Sequence, residues 1–346
     1  MAAQGIDAAL IFSPENRYYF SNFRGTAGAL LITHNYTLLF TDFRYSEQAK
    51  EQAPLFEVVQ HQQNMLDLIS QSLDKFSIKH LGLEIDKMTA AEYLKVTQMS
   101  PTVKVSSIDN LIAEIRQTKD QTEIAQIHKG IEICDGAFEH ILNFIRPGIT
   151  EKDIGLELQV FMLQAGAEGI KANHVIASGE RSALPHGQAT ERVIHQGDFI
   201  TMDFGARVNG YYSDFTRTVI LGEPNDRQQE IYDTVFKAQE AALANMGPGK
   251  ICSEMDEVAR AIIRQAGYGD NFGHSLGHSL GLEIHENPTM RSTDHSPLRP
   301  GTAISVEPGI YLPGFGGVRI EDLVVITDDG LVNLTQSTKA LQILNT

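Results

Sequence analysis

The amino-acid sequence predicts an α+β fold in two domains, and three observations support this prediction. At roughly 100–200 residues per domain, a chain of 346 residues is long enough for two domains. Short apolar runs alternate with polar helical stretches through residues 1–115, which is typical of a small α/β domain. After residue 115, the sequence contains both amphipathic helical stretches and strand-like runs. We therefore predict an N-terminal domain of residues 1–116 and a second domain of residues 117–346.

The N-terminal domain is predicted to contain strands with surface helices between them. Strands are expected at Ala8–Phe12, Ala29–Ile32, Thr37–Thr41 and Leu81–Ile85. Polar-rich spacing predicts helices at Tyr45–Ala53 and Met65–Phe76. No cluster of histidine, cysteine or carboxylate side chains occurs in this part of the sequence. We therefore expect it to be a shape-giving or dimer-forming module.

A long amphipathic helix is predicted to open the second domain. Apolar residues recur at steps of three, four and seven from Ile124 to Ile145. Thr118 and Gln121 have the spacing of a capping box at its start, and Pro147-Gly148 is expected to end it. Further helices are expected at Glu151–Ala165, Asp226–Met246 and Ser253–Ala266. Strands are expected within His174–Ser178, Asp198–Leu221, Thr302–Ile310 and Val318–Ile326.

Charge and composition argue against several classes of partner. The sequence has 28 Lys+Arg against 44 Asp+Glu, a formal net charge of −16. Because a phosphate backbone or an anionic membrane repels such a surface, we expect neither a nucleic acid nor a membrane as partner. No apolar run approaches the ~20 residues that cross a bilayer, and no signal peptide is recognised. Cys134 and Cys252 are expected to be buried thiols in a reducing compartment, so we expect a cytoplasmic protein.

Two aspartates lie in a predicted hairpin, DFGARVNGYYSDFTRTVIL, at residues 203–221. Asn209-Gly210 is the strongest short signal for a type I′ turn, and a loop there places Asp203 opposite Thr216. Asp203 and Asp214 then become diagonal neighbours on one face, with Cα atoms roughly 7–8 Å apart. Because carboxylates in apolar surroundings raise each other's pKa, a cation is expected between them. The alternative is a pair of solvated acids on an exposed edge.

A second pair of acids flanks a loop rich in proline and glycine, in SVEPGIYLPGFGGVRIEDLVVIT at residues 305–327. Glu307 and Glu321 are 14 positions apart. An odd-length loop centred near Gly314 would therefore place both carboxylates on one face of the sheet. These acids also lie among Ile, Val and Leu, so a second cation is expected.

Three histidines lie between the two hairpins, at His274, His278 and His285. A single histidine is more often a core or surface residue than a ligand, but three histidines in a segment that also contains three glycines favour a metal site. Two aspartates, two glutamates and at least one imidazole suit Mn²⁺, Co²⁺, Fe²⁺ or Zn²⁺, often as a pair of ions. Two divalent ions would balance four carboxylates that are too costly to bury alone.

The ordered set of acids and histidine resembles the pita-bread metallopeptidases, and among them the Xaa-Pro peptidases, aminopeptidase P and prolidase. Residues 1–115 are similar to a creatinase-type N-terminal domain, and residues 118–346 to the pita-bread catalytic domain. The supporting motifs are SGERSALPHG at 178–187, GHSLGHSLGLEIHE at 273–286, VEPGIY at 306–311 and GVRIED at 317–322.

This resemblance implies a pair of divalent metal ions bridged by a hydroxide. Asp203 would bind one ion through both oxygens, and Asp214 and Glu321 would bridge the two ions. His278 and Glu307 would complete the other ion, with Glu307 also serving as general base or proton shuttle. Mn²⁺ is the expected metal, and Co²⁺ or Zn²⁺ would accept the same ligands.

Further residues take their expected roles from the same resemblance. His186 and His285 would line the substrate site and hydrogen-bond the scissile carbonyl or the intermediate. Arg319 and Tyr311 match positions that support the ligands and the proton path, with Arg319 counted as catalytic and Tyr311 as substrate-binding. His274 matches a position in the substrate pocket.

The implied function is hydrolysis of the Xaa-Pro bond at the N-terminus of peptides with proline in second position, by a Xaa-Pro aminopeptidase. The alternative is a Xaa-Pro dipeptidase (prolidase). We place the aminopeptidase first because Thr289 follows HENP, where some prolidases carry an arginine, and Arg291 lies two residues further on. More remote alternatives are a methionine aminopeptidase, a creatinase-like amidinohydrolase without metal, and an inactive binding protein on the same fold. A homodimer is expected from the resemblance alone.

Overall fold

The computed structural model describes residues 1–62, 64–171 and 174–345, and the chain forms two compact units, Met1–Ile115 and Arg116–Thr346. The domain bounds expected from the sequence, 1–116 and 117–346, stay a prediction. In the described part of the chain, no helix is both long and apolar enough to cross a membrane.

The first unit is built on a six-stranded sheet of order β4-β3-β2-β1-β5-β6. Strand β2 is antiparallel to β1 and β3, and the other neighbours are parallel. The strands are β1 (Ala8–Ile11), β2 (Ala29–Thr33), β3 (Thr37–Asp42), β4 (Glu57–His61), β5 (His80–Leu83) and β6 (Lys104–Ser107). The helices are α1 (Pro14–Ser21), α2 (Ser46–Gln52), α3 (Met65–Lys75) and α4 (Ala90–Met99).

Apolar side chains cover both faces of the central strands of this sheet. Leu10 and Leu31 pack into one core cluster, while Ile11 and Leu30, their chain neighbours, pack into the other. Burial on two faces explains why these strands are continuous apolar runs rather than alternating ones. The four predicted strands and two predicted helices are present, whereas α1, α4, β4 and β6 were not predicted. Helix α5 (Asp109–Gln117), which was not predicted either, follows β6, and its last two residues belong to the second unit.

Within its described residues, the second unit contains four long helices and four sheets. The helices are α6 (Gln121–Leu142), α7 (Glu151–Gln164), α8 (Asp226–Asn245) and α9 (Cys252–Gln265). The first strands are β7 (Gly169–Ile170), β8 (Val175–Ser178), β9 (Phe199–Phe204), β10 (Ala206–Val208), β11 (Tyr211–Tyr212) and β12 (Phe215–Leu221). The later strands are β13 (Gly277–Ser279), β14 (Glu286–Met290), β15 (Ala303–Val306), β16 (Gly309–Leu312), β17 (Gly316–Arg319), β18 (Asp322–Ile326), β19 (Leu331–Asn333) and β20 (Ile343–Leu344).

Two of these sheets carry the acidic segments. One has the order β20-β12-β9-β8 and packs its apolar side chains against α6 and α7. The other has the order β14-β13-β15-β18-β19 and shares a core with α8 and α9. The remaining sheets are β11-β10-β7 and the hairpin β16-β17. Because each helix buries one apolar face against a sheet, the opposite faces of the sheets are free to carry polar groups.

The start of α6 differs from the prediction. The capping residue is Asp120, whose carboxylate accepts from the backbone of Thr122 and Glu123, and the Glu123 carboxylate accepts from the Asp120 N–H. The capping box assigned to Thr118 and Gln121 is therefore wrong. The residue before the cap, Lys119, still pairs its backbone N–H with the carbonyl of Gly301, so the chain is not helical there. The helix ends at Leu142, before the predicted Pro147.

Candidate metal centre

The first predicted hairpin has the register that its turn requires. Asn209 and Gly210 both have positive φ, at 48° and 83°, as a type I′ turn demands. Across β9 and β12, Asp203 is paired with Thr216, as expected from the sequence. This register brings Asp214, just ahead of β12, to the same side as Asp203.

Asp203, Asp214 and Glu321 form a buried cluster of carboxylates. One oxygen of each residue lies within 4.8 Å of the others. Glu321 reaches the aspartates because its backbone N–H donates to the carbonyl of Thr216, at 3.1 Å. This bridge joins the second acidic segment to β12, so the two sheets meet at the cluster.

The second acidic pair also has the register expected from the sequence. Gly314 lies at the centre of the β16–β17 loop with φ of 76°, and Gly309 pairs with Arg319 across the hairpin. The same register continues in β15 and β18, so Glu307 and Glu321 face each other. Burial raises the pKa of Glu321 well above its ordinary value, and Asp214 and Glu307 raise it further.

His278 joins this group from β13. Its Nε2 lies 3.4 Å from Oε1 of Glu307 and 3.7 Å from Oδ2 of Asp214. Gly277 allows this approach, because a Cβ there would stand 1.9 Å from the Ser305 carbonyl oxygen. The hydroxyl of Ser305 accepts from the His278 N–H and donates to Glu307. The five residues expected as metal ligands are thus brought together, and their role as ligands stays a prediction.

Arg319 holds the Asp203 carboxylate from the adjoining strand β17. Its Nη2 donates to Oδ2 of Asp203 at 2.5 Å, and its Nε donates to the Thr216 hydroxyl at 3.3 Å. Burial alone would raise the pKa of Asp203, but Lys171 and Arg319 outweigh that effect and lower it to about 2. Asp203 is therefore an ionised carboxylate despite being buried.

Tyr311 and His274 continue the hydrogen-bonded chain away from Arg319. The Tyr311 hydroxyl lies 2.8 Å from Nη1 of Arg319 and 2.9 Å from Nε2 of His274. Burial lowers the pKa of His274 to about 4, with a further contribution from Arg319. His274 is therefore neutral near pH 7, so its Nε2 can accept a hydrogen bond from the Tyr311 hydroxyl, which itself accepts one from Arg319.

The two other predicted substrate histidines lie beside the cluster. The ring of His285 packs edge-on against that of His278, with centroids 4.3 Å apart. Burial lowers the pKa of His285, and His278 and His186 add to this. His186 is exposed and follows Pro185, whose carbonyl accepts from Arg319. Both histidines are thus available to a ligand at the rim of the cluster.

Lys171 is a member of the site that the sequence analysis missed. It follows β7, and its Nζ lies 2.6 Å from Oδ1 of Asp203 and 2.6 Å from Oδ1 of Asp214. The two carboxylates raise the pKa of this lysine above its ordinary value, although burial opposes them. The only sequence signal was a single cation in an otherwise neutral stretch ahead of β8.

A buried ion-pair cluster supports the loop that carries His285. Glu286, the next residue, accepts from Arg116 and from Lys119, the latter at 3.1 Å. Arg116 also donates to Glu283 at 3.1 Å. Burial would raise the pKa of Glu286, but the two cations lower it below its ordinary value. We refer to Arg116, Lys119, Glu283 and Glu286 as the Glu286 clamp.

The donor atoms at the carboxylate cluster fit a divalent metal. Oε2 of Glu321 accepts from the Thr216 hydroxyl, but Oε1 is buried and has no hydrogen-bond partner among the residues that the structure describes. A buried carboxylate oxygen without a partner is costly, and a metal ion would satisfy it. Carboxylate oxygens with one imidazole nitrogen are the donors that such ions accept. The residues present therefore fit a divalent metal centre.

Comparison with known proteins identifies the family. A family model for metallopeptidase family M24 matches residues 125–328, which is more than half of the chain. The chain belongs to metallopeptidase family M24. The creatinase/prolidase N-terminal domain matches residues 1–118. The resemblance to pita-bread metallopeptidases, and the order of the two domain types, are thereby confirmed.

Relatives of this M24 peptidase match over nearly their full lengths. The Xaa-Pro dipeptidase of Pyrococcus furiosus is 39% identical, over 99% of this chain and 97% of the relative. The solved structure of a Xaa-Pro dipeptidase from Bacillus anthracis is 43% identical with a TM-score of 0.97, over 99% of this chain and 96% of that one. An X-Pro aminopeptidase structure from Thermotoga maritima is 39% identical with a TM-score of 0.93, over 98% of each chain.

Proposed function

We propose that this M24 metallopeptidase is a Xaa-Pro dipeptidase, which hydrolyses dipeptides whose second residue is proline. The observation that carries the proposal is the buried cluster of Asp203, Asp214 and Glu321, with its unpartnered Glu321 oxygen, in a chain similar to named Xaa-Pro dipeptidases from end to end. Those relatives favour the dipeptidase alternative over the aminopeptidase that the sequence analysis placed first.

The aminopeptidase was placed first because of Thr289, and the structure explains why that position is a weak guide. Thr289 pairs with His278 across β13 and β14, so it belongs to the strand that supports the histidine. Arg291, two residues further on, is exposed.

The proposed metal ligands are Asp203, Asp214, His278, Glu307 and Glu321, holding two divalent ions. Mn²⁺ is the proposed metal, and Co²⁺ or Zn²⁺ would suit the same oxygen and nitrogen donors. When bound, such a pair lowers the pKa of a coordinated water and polarises the scissile carbonyl.

Two side chains of the protein are proposed to act in proton transfer and in charge balance, Glu307 and Arg319. Burial raises the pKa of Glu307, which suits it to take the proton of the attacking water and pass it to the leaving amine. Arg319 holds the ionised Asp203 in place, and Tyr311 with His274 fixes the arginine by hydrogen bonds. Arg319 thus fixes the position of the Asp203 carboxylate and balances its negative charge.

His285 and His186 are the proposed substrate-binding histidines. His285 packs on His278 and faces the cluster, so a neutral imidazole there can donate to the developing oxyanion. His186 is exposed at the rim, where it can reach the substrate. Tyr311 and His274 would complete the pocket wall. The proposed partners are thus small peptides with proline in second position.

We also propose a homodimer, which rests on family resemblance alone. Light scattering of the purified protein tests this, and a monomer at micromolar concentration would contradict it. The cytoplasmic location expected from the sequence stays a prediction.

A matched pair of substrates tests the proposed dipeptidase. The protein is stripped of metal, returned to Mn²⁺ and given a Xaa-Pro dipeptide and the corresponding Xaa-Pro-Yaa tripeptide. We expect cleavage of the dipeptide only. Cleavage of the tripeptide at its first bond would establish an aminopeptidase, and cleavage of neither with metal bound would favour a binding protein. Met-Ala serves as the control that excludes a methionine aminopeptidase.

A further inference from the structure

Lys171 occupies the carboxylates that the proposed metal ions need. Its ammonium contacts Oδ1 of Asp203 and Oδ1 of Asp214, each at 2.6 Å. The other oxygen of Asp203, Oδ2, accepts from Arg319. Cations therefore engage both oxygens of Asp203, and an ion that binds through these oxygens must compete with the two cations for the carboxylate.

The two cations differ in how firmly they are fixed. The Arg319 guanidinium also donates to the Pro185 carbonyl, the Tyr311 hydroxyl and the Thr216 hydroxyl. The Lys171 ammonium is held by the two aspartates at the end of a flexible four-carbon side chain. Lys171 is consequently the easier cation to displace.

The backbone of Lys171 is anchored independently of its ammonium. Its N–H donates to the carbonyl of Gly205 at 2.7 Å, which ties the residue to the short link between β9 and β10. The side chain can therefore leave the carboxylates by rotation about its own bonds, with the main chain held. Its side chain is 14% exposed, so it is not fully enclosed by the described residues.

We propose that Lys171 competes with divalent metal for Asp203 and Asp214, and thereby sets the metal affinity of the site. The lysine neutralises the buried aspartates in the absence of bound ions and is released from them when metal loads. It is a positioning residue that keeps the ligands together, at the cost of weaker metal binding. This inference rests on the proposed metal centre.

Lys171 is proposed both to hold the ligands together and to weaken metal binding. Replacing its ammonium with a neutral side chain of similar length separates these two effects. In Lys171→Met, the metal no longer has to displace a close cation, so we expect Mn²⁺ to bind at least about tenfold more tightly. The stripped variant should melt at a lower temperature than the stripped wild type, because Asp214 then lacks its cation. Added Mn²⁺ should raise the melting temperature more in the variant than in the wild type.

The experiment is Mn²⁺ titration by calorimetry with parallel melting curves, on stripped wild type, Lys171→Met and the control Lys152→Met. Lys152 is exposed and pairs with the exposed Glu191, so the control should match the wild type. Lys171→Gln serves as the second variant if Lys171→Met does not fold, with the same expected direction. Equal or weaker Mn²⁺ binding in the Lys171 variants would overturn the competition alone. Absence of Mn²⁺ binding in every protein would overturn the metal centre as well.

Discussion

The Thr216 hydroxyl donates a hydrogen bond of 2.6 Å to Oε2 of Glu321, while Oε1 of the same carboxylate is buried with no partner in the described part of the chain. This arrangement fixes the direction of the glutamate and leaves one oxygen directed at the two aspartates. A carboxylate held in this way is prepared to accept a cation, and burial keeps its pKa well above the ordinary value until one is bound.

Glu321→Gln is the first predicted loss of function. The amide keeps the shape of the side chain but lacks the negative charge, so we expect Mn²⁺ affinity and Xaa-Pro turnover to fall by about a hundredfold or more. Calorimetric titration and dipeptide hydrolysis measure the two effects. Near-normal Mn²⁺ affinity in this variant would remove Glu321 from the set of ligands.

Thr216→Val is predicted to have a smaller effect through the same carboxylate. Valine has the shape of threonine but cannot donate to Glu321 or accept from Arg319. We expect metal affinity to fall about 10- to 100-fold. The matched control is Thr201→Val, because the buried Thr201 hydroxyl bonds to Thr218 rather than to a carboxylate. Equal losses in the two variants would indicate a general packing defect.

The Glu286 clamp is predicted to contribute to stability. Lys119 is buried and donates to Glu286, so Lys119→Met leaves that carboxylate short of one cation. We expect the free energy of unfolding to fall by about 3 kcal/mol. Lys152→Met removes an exposed ion pair and should change it by less than about 1 kcal/mol. Denaturant unfolding measures the free energy of unfolding of both variants. Similar losses in Lys119→Met and Lys152→Met would contradict a stabilising role of the Glu286 clamp.

His274 is predicted to make the stability depend on pH. Burial lowers its pKa from an ordinary value near 6.5 to about 4, so between these values the unfolded chain binds the proton and the folded protein does not. The folded state is therefore destabilised by about 3 kcal/mol as pH falls from 6.5 to 4.

His274→Gln removes this titration, so the wild type should lose more stability than the variant over that range. Urea unfolding of the stripped proteins at several pH values measures the difference. His128→Gln, at an exposed position on α6, is the control. Parallel pH curves for wild type and His274→Gln would contradict the assignment.

The parts of the site that the sequence predicted are those fixed by local pattern. Asn209-Gly210 fixes the turn, and the period of two along a strand then determines which residues face Asp203. Glu307 and Glu321 follow from the odd-length loop centred on Gly314 in the same way. Strand registers within a hairpin are short-range properties, so they can be inferred without knowing the tertiary structure.

Lys171 could not be found in this way, because its position depends on contacts between distant segments. It is 32 positions from Asp203 and 43 from Asp214, and the pairing of β7 with β10, continued by the hydrogen bond from its backbone to Gly205, brings it to the cluster. The Glu286 clamp is similar, since Arg116 meets a residue 170 positions away. No periodicity or turn signal encodes such distances.

The missed helices, in contrast, had local signals. Helix α1 begins at Pro14 after the capping residue Ser13, which is a recognised helix start. Helix α4 has a capping box made by Thr89 and Glu92. Their weak apolar periodicity concealed both helices, which shows that capping residues are a separate source of information from the hydrophobic pattern.

The dependence of dipeptide hydrolysis on bound Mn²⁺ shows whether the carboxylate cluster is a catalytic metal centre. Stripped protein is titrated with Mn²⁺, and Xaa-Pro dipeptide turnover is measured against the number of ions bound per chain. We expect no turnover without metal and full turnover at about two ions per chain. Dipeptide hydrolysis by the fully stripped protein would contradict a metal centre built from Asp203, Asp214, His278, Glu307 and Glu321.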